Sequence, residues 1–216
     1  MGARNRAPSI HRRHFALGAT VLFATRDALA EADAGDLIAR VGRARTTLQT
    51  LQGPFQQTRT IGLLATDVHS RGTFALVRPD HLRWDLAPPD EVTFWLSPEG
   101  LAYRTAHGRG RLPATARSIG GALEDLRTVL GGDLAKLGER WELRVVRDEA
   151  TGIELEAMPR PGTGARLQSL RFSLTPDSGQ PTRVLLVEGP HDHTLVEFGK
   201  LIVNARVEEA RMRPPS

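Results

Sequence analysis

The sequence contains no cysteine. That excludes disulfides, thiolate metal sites and a cysteine nucleophile, and it leaves burial of apolar surface to hold the chain together. It also removes the acylatable residue that a lipoprotein needs directly after its signal, so the chain is not itself lipid-anchored. Lysine is nearly missing: only Lys136 and Lys200 occur, and arginine supplies the rest of the 29 basic side chains. With one tyrosine, three tryptophans and seven phenylalanines, each aromatic position can be weighed individually. No stretch reaches the roughly 20 apolar residues that a membrane-spanning helix requires. Catalytic signatures are missing too, with no G-x-S-x-G, no H-E-x-x-H and no Walker-type glycine loop. A chain of this kind is expected to need no cofactor and to perform no catalysis.

What is present begins with an export-type leader. Arg4, Arg6, Arg12 and Arg13 precede an apolar run from Phe15 to Ala24, and Ala28-Leu29-Ala30 forms a small-x-small cleavage pattern. This predicts a cleavable signal over residues 1–30 and one soluble domain over 31–216. Arg12-Arg13-His14-Phe15 fits twin-arginine export about as well as the general secretory route. Removing the leader takes five arginines against Asp27 alone and leaves 24 basic and 24 acidic side chains. The basicity therefore belongs to the leader, and it is no argument for a nucleic-acid partner.

Beyond the leader the pattern is helix first, then mostly strands. Leu37, Val41, Ala44, Leu48 and Leu51 recur at helical spacing behind Asp33 and Asp36, which predicts a helix over 34–50. From Pro54 the period becomes two. Leu82, Trp84 and Leu86 face one way, Arg83 and Asp85 the other, and Val92, Phe94 and Leu96 continue the alternation after the Pro88-Pro89 turn. A second helix is predicted over 116–130, where Ile119, Leu123, Leu126, Val129 and Leu130 form a stripe that ends at Gly131-Gly132. Further strands are expected over 141–147, 153–158, 168–175, 182–188, 194–200 and 207–212, with a hairpin loop at 176–180. The fold class is mainly β with helices (α+β), a strongly bent sheet or incomplete barrel closed by helices on one side.

Three local features invite a functional reading. His191-Asp192-His193 has metal-ligand residue types, yet it follows Gly189-Pro190 and no third ligand accompanies it, so it reads as a polar hairpin loop and no metal site is expected. Gly108-Arg109-Gly110-Arg111 reads as a mobile, solvated loop. With Arg104 and His107 it concentrates positive charge, which suits anionic head groups or an acidic surface, or simply solubility. The aromatic residues Phe74, Trp84, Phe94, Trp95, Trp141 and Phe172 either line a cavity or form core, and Trp95 lies on the face opposite Phe94.

One block is more specific. Phe55-Gln56-Gln57, the run from Ser70 to Leu76, and Arg78-Pro79-Asp80-His81-Leu82-Arg83-Trp84-Asp85 together resemble the periplasmic lipoprotein carrier family, LolA. Members of that family have an F-x-Q strand followed by G-x-F/L-x-x-x-R-P and a nearby tryptophan. Val203-Asn204 and Pro214-Pro215 resemble the family's closing elements. Met212-Arg213 stands where the family has an aromatic residue, and the stretch from Arg104 to Gly138 is longer and more basic than usual.

The resemblance implies an open antiparallel β-barrel of about ten or eleven strands under a helical lid. It further implies a monomeric periplasmic carrier that shuttles acyl chains of lipoproteins or related lipids from the inner to the outer membrane. Its partners would be the acylated cargo, an inner-membrane release complex and an outer-membrane acceptor, with no nucleic acid and no permanent membrane anchor. The ligand-binding residues implied are Phe74, Leu76, Leu82, Trp84, Phe94, Leu96, Ile119, Leu123, Leu126 and Phe172. Arg78 would lock the lid by donating to its backbone carbonyls, a task that suits the five donors of a guanidinium. A lipid-sensing module of the same fold and a cofactor-free enzyme on a hydrophobic substrate are the alternatives.

Overall fold

Alternating side chains from residue 50 onward produce strands, and in the computed structural model every neighbouring pair of them is antiparallel. The structure describes residues 35–215 except 65, 114–116, 132 and 164–166, and side chains are likewise left out at 64, 113 and 117–120. The signal predicted over 1–30 lies outside the described residues.

Helix α1 (35–44) comes first. Six strands follow: β1 (Thr50–Ile61), β2 (Thr66–Val77), β3 (His81–Leu86), β4 (Thr93–Ser97), β5 (Gly100–Thr105) and β6 (Gly108–Pro113). Two helices, α2 (Arg117–Gly131) and α3 (Leu134–Arg140), separate these from β7 (Trp141–Glu149), β8 (Gly152–Pro159), β9 (Ser169–Leu174), β10 (Pro181–Val187) and β11 (His193–Phe198). The chain closes with the short β12 (Ile202–Val203) and the helical turn α4 (Glu209–Met212). The sheet runs β6-β5-β4-β3-β2-β1-β11-β10-β9-β8-β7, with β12 added beside β1.

This order lets the connection between the edge strands cover the sheet. The two strands that end the sheet, β6 and β7, are consecutive in sequence and are joined only through α2 and α3. A twisted, curled sheet brings its edges toward one another, and here the connecting helices lie against its strands. Helix α2 packs against β2, β4 and β10, and α3 against β7.

One apolar core fills the concave side. It contains Leu51, Phe55, Phe74, Leu76, Leu82, Trp84, Leu155, Leu170, Phe172 and Val184 from the sheet, Leu37 and Val41 from α1, and Leu126, Val129 and Leu130 from α2. Gly72 is required where β2 passes β3. A methyl group there would overlap the Asp85 carbonyl oxygen and sit 2.8 Å from the Phe55 ring.

Three sequence expectations are corrected. Helix α1 stops at residue 44 instead of 50, because Thr50 is already paired with Val77 in the β1–β2 ladder. Leu48 and Leu51 are still buried, but as turn and strand residues. Gly108 to Arg111 is an edge strand, not a loop: Gly110 lies opposite Tyr103, whose ring occupies the space a side chain at 110 would need. Residues 207–212 form no strand. Their place in the sheet is taken by β12, while α4 lies on the outer face of β3 and β4, where the Arg211 carbonyl accepts bonds from Arg83 Nη1 at 2.8 Å and Trp95 Nε1 at 3.1 Å.

Candidate functional site: an apolar concavity bordered by arginine–carbonyl hydrogen bonds

The side chains implied by the family resemblance gather on the concave face. Phe74, Leu76, Leu82, Trp84, Leu96, Leu126 and Phe172 are buried there, and Phe94 and Leu123 are half-buried against the same cluster. The side chain of Ile119 lies outside the described residues. Strand alternation explains the grouping, because Phe74, Trp84 and Phe94 are opposed in register across β2, β3 and β4.

Two further rings join them. Phe55 stacks on Trp84 with centroids 3.8 Å apart, and Phe198 meets Phe74 edge-on at 5.5 Å and Trp84 at 6.4 Å. Phe55 was visible in the F-x-Q motif, and its register partner across β1 and β11 is Phe198. Beside this cluster opens a cavity of about 540 Å³ of mixed lining, with Phe55, Leu86 and Phe198 beside Arg71, Asp85 and Glu197. Trp95 is elsewhere. It lies on the outer face, 4% exposed, flanked by Arg83 and Arg104 at 5.2 and 5.8 Å and covered by the C-terminal segment.

Arginine side chains that donate to backbone carbonyls link the segments around the concavity. Arg78 is half-buried, and its Nη1 donates to Arg45 O at 3.1 Å and, at 3.5 Å, to Leu48 O. These carbonyls belong to the turn that follows α1. The hydrogen bonds of the Arg78 side chain thus end on the turn after the first helix, and α2 is reached by a different residue. Arg45, only 4% exposed, donates through Nη1 to Val129 O at 3.2 Å and through Nη2 to Leu130 O, both in the last turn of α2. A longer contact of 3.5 Å joins Nη1 to Gly179 O. Arg127 of α2 completes the circuit by donating to Pro79 O at 3.1 Å, next to Arg78, while pairing with Glu124.

The electrostatics favour this use of arginine. The last carbonyls of a helix have no intrahelical donors and sit at the negative end of the helix dipole, so a cation there is stabilised. Burial, followed by the neighbouring Arg78 charge, pulls the Arg45 guanidinium down to about 10, which still leaves it charged at neutral pH. Arg45 was not singled out from sequence, although a signal existed. It continues the four-residue spacing of Leu37 and Val41 one step past the end of α1, in line with an apolar stripe where a charged side chain is unusual.

Asn204 clamps the same turn from the other side. Its Oδ1 accepts from the amides of Gln49 at 2.7 Å and Thr50 at 3.3 Å, and its Nδ2 donates to Thr47 O at 3.0 Å. No group of three or more His, Cys, Asp or Glu side chains capable of holding a metal ion occurs among the described residues. In the His191-Asp192-His193 loop, Asp192 Oδ1 accepts from Gly62 N at 3.1 Å and so ties the β10–β11 connection to the β1–β2 tip. No described helix is long and apolar enough to cross a membrane.

An open antiparallel sheet whose concavity is lidded by its own edge-to-edge connection defines a class of fold, and comparison with known proteins agrees. Residues 46–98 match the profile of the family described as outer membrane lipoprotein carrier protein LolA. Over these residues the chain is similar to that family. A DUF1329 family protein from Desulfovibrio piger superposes with a TM-score of 0.54 at 11% identity, over 85% of this chain and 97% of that one. An uncharacterized conserved protein from Thermus thermophilus gives 0.53 at 9% identity, over 85% and 94%. A LolA superfamily protein from Nitrosomonas europaea gives 0.47 at 11% identity, over 84% and 97%. No curated protein matches the chain in sequence.

Proposed function

We propose that this chain is a periplasmic carrier that takes the acyl chains of lipoproteins or related lipids into the concavity beneath α2 and passes them from the inner to the outer membrane. The observation behind this reading is the continuous apolar face of the half-barrel, covered by a helix whose polar fastenings include hydrogen bonds between arginines and backbone carbonyls. In the closed arrangement the core side chains fill much of the space, so a chain is accommodated by displacement of α2. Exposing about 16 methylenes to water costs on the order of 12 kcal/mol. An apolar cup therefore makes donor membrane, carrier and acceptor comparable in free energy for the cargo, and small differences set the direction.

On this reading the protein binds and releases, and catalyses nothing. Its partners are the acylated cargo, a release complex at the inner membrane and an acceptor at the outer membrane. The match of residues 46–98 to the carrier family supports the assignment. The test is uptake of a fluorescent fatty-acid probe by purified protein, together with mass spectrometry of organic extracts from protein isolated from the periplasm. Micromolar probe binding and a co-purifying acylated molecule are expected. Absence of both would overturn the carrier function.

A further inference from the structure

The fastenings form a ring. Arg78 donates to the carbonyl of Arg45 at 3.1 Å, Arg45 donates to Val129 O at 3.2 Å and to Leu130 O in α2, and Arg127 of α2 donates back to Pro79 O at 3.1 Å. Three segments far apart in sequence are joined in this way: the turn after α1, the β2–β3 turn and the last turns of α2. The links are not equivalent. The Arg78 hydrogen bonds end on the turn at 45–48, whereas the two guanidinium nitrogens of Arg45 both reach the α2 C-terminus.

We infer that Arg45 is the residue that holds α2 closed, and that the Arg78 side chain acts on α2 through the turn that presents Arg45. The inference deepens the carrier reading and rests on it, since it takes α2 to be the lid of an acyl-binding cup. Arg45 is a positioning residue for that lid. It has a buried guanidinium, makes no ion pair among the described residues, and finds its compensating partial charge in the terminal carbonyls of α2. Such a fastening breaks when the helix end moves away and reforms when it returns, and it needs no carboxylate partner for Arg45. Asn204 and Arg78 grip the turn from its two sides and so keep Arg45 aimed.

The test is hydrogen exchange of the ligand-free protein, followed residue by residue in the wild type, Arg45→Leu, Arg45→Lys, Arg78→Leu and the Arg45→Leu/Arg78→Leu double variant. Amides near the end of α2 are expected to exchange at least tenfold faster in Arg45→Leu, while those of β8 to β10 are unchanged. Arg45→Lys should fall between that variant and the wild type, because an ammonium keeps the charge but cannot fork to both carbonyls. Arg78→Leu should loosen residues 45–49 more than α2, and the double variant should match Arg45→Leu in α2. Faster α2 exchange in Arg78→Leu than in Arg45→Leu, or additive effects in the double variant, would overturn the inference. If Arg45→Leu does not fold, Arg45→Lys against Arg78→Lys makes the same comparison. The measurement needs no ligand, so failure of the latch and failure of probe uptake are separate results.

Discussion

The indole of Trp141 donates its Nε1 hydrogen to the Asp125 carboxylate at 3.1 Å, joining α2 to the start of β7 in the interior. Arg140 approaches the same oxygen at 3.0 Å from a position 41% exposed, while the Asp125 side chain is only 4% exposed. Burial raises the Asp125 carboxyl from 3.8 to about 6, against the opposing pull of Arg140 and the indole. The folded pKa is higher than the unfolded one, so the folded state holds the extra proton between these values. The associated stability is fully present below about pH 4 and is lost as pH rises through about 6, a difference of up to about 3 kcal/mol. Urea unfolding of Asp125→Asn should therefore show a stability relative to wild type that increases between pH 4 and pH 7. Parallel pH profiles for the two proteins would exclude this role.

Arg78→Leu should cost about 1–2 kcal/mol in urea unfolding, since it leaves the carbonyls of Arg45 and Leu48 short of a donor in a half-buried site. Cargo should still load, but it should be handed on poorly to an acceptor membrane, because the closed state that competes with cargo is weakened. Arg78→Lys should be intermediate. Arg144→Leu, at a side chain 63% exposed, is the control expected to behave as wild type. Equal transfer by all of these proteins would make Arg78 an ordinary structural residue.

Gly72→Ala should destabilise by more than about 2 kcal/mol, because the obstruction includes the Asp85 backbone, which cannot rotate out of the way. Gly121 in α2 has open space within 4 Å of the position a methyl group would take. Gly121→Ala should instead stabilise by about 0.5–1 kcal/mol, through helix propensity. Thermal melts of the pair compare close approach with backbone freedom directly, and a shift of the same sign in both would contradict the geometry.

Asn204→Ala should lower stability by about 2 kcal/mol. It removes three side-chain hydrogen bonds to the turn at 47–50 and places alanine at a φ of 56°, a conformation that asparagine tolerates better. Asn204→Gly should recover the backbone part but not the hydrogen bonds. Chemical denaturation of both variants checks this, and an alanine variant as stable as wild type would contradict it.

The strands of the Phe55 to Leu96 region were readable because half-buried sheets write their orientation every second residue. Phe74, Trp84 and Phe94 do share a face, as the alternation of β3 and β4 implied. The limits of α1 were misread because hydrophobic spacing at Leu48 and Leu51 is compatible with both a helix and a turn into a strand, and only the pairing of Thr50 with Val77 decides between them. Gly108 to Arg111 looked like a loop because glycine is poor in strands. Tyr103 across the ladder uses the very space that glycine leaves.

By itself the sequence determined the local periods, the turn positions and the family motif around Arg78, since these depend on neighbours within a few residues. The tertiary structure alone decided which arginine meets which carbonyl. Arg45 and Val129 lie 84 positions apart, and the chain between them crosses the sheet to its edge and returns through α2. A guanidinium takes any well-placed oxygen as its acceptor, and backbone carbonyls are the same at every residue. Residue type marks Arg45 as an unusual charge beside an apolar stripe, but it cannot say that the donor reaching α2 is Arg45 and not Arg78; the curl of the sheet and the path of its edge-to-edge connection settle it.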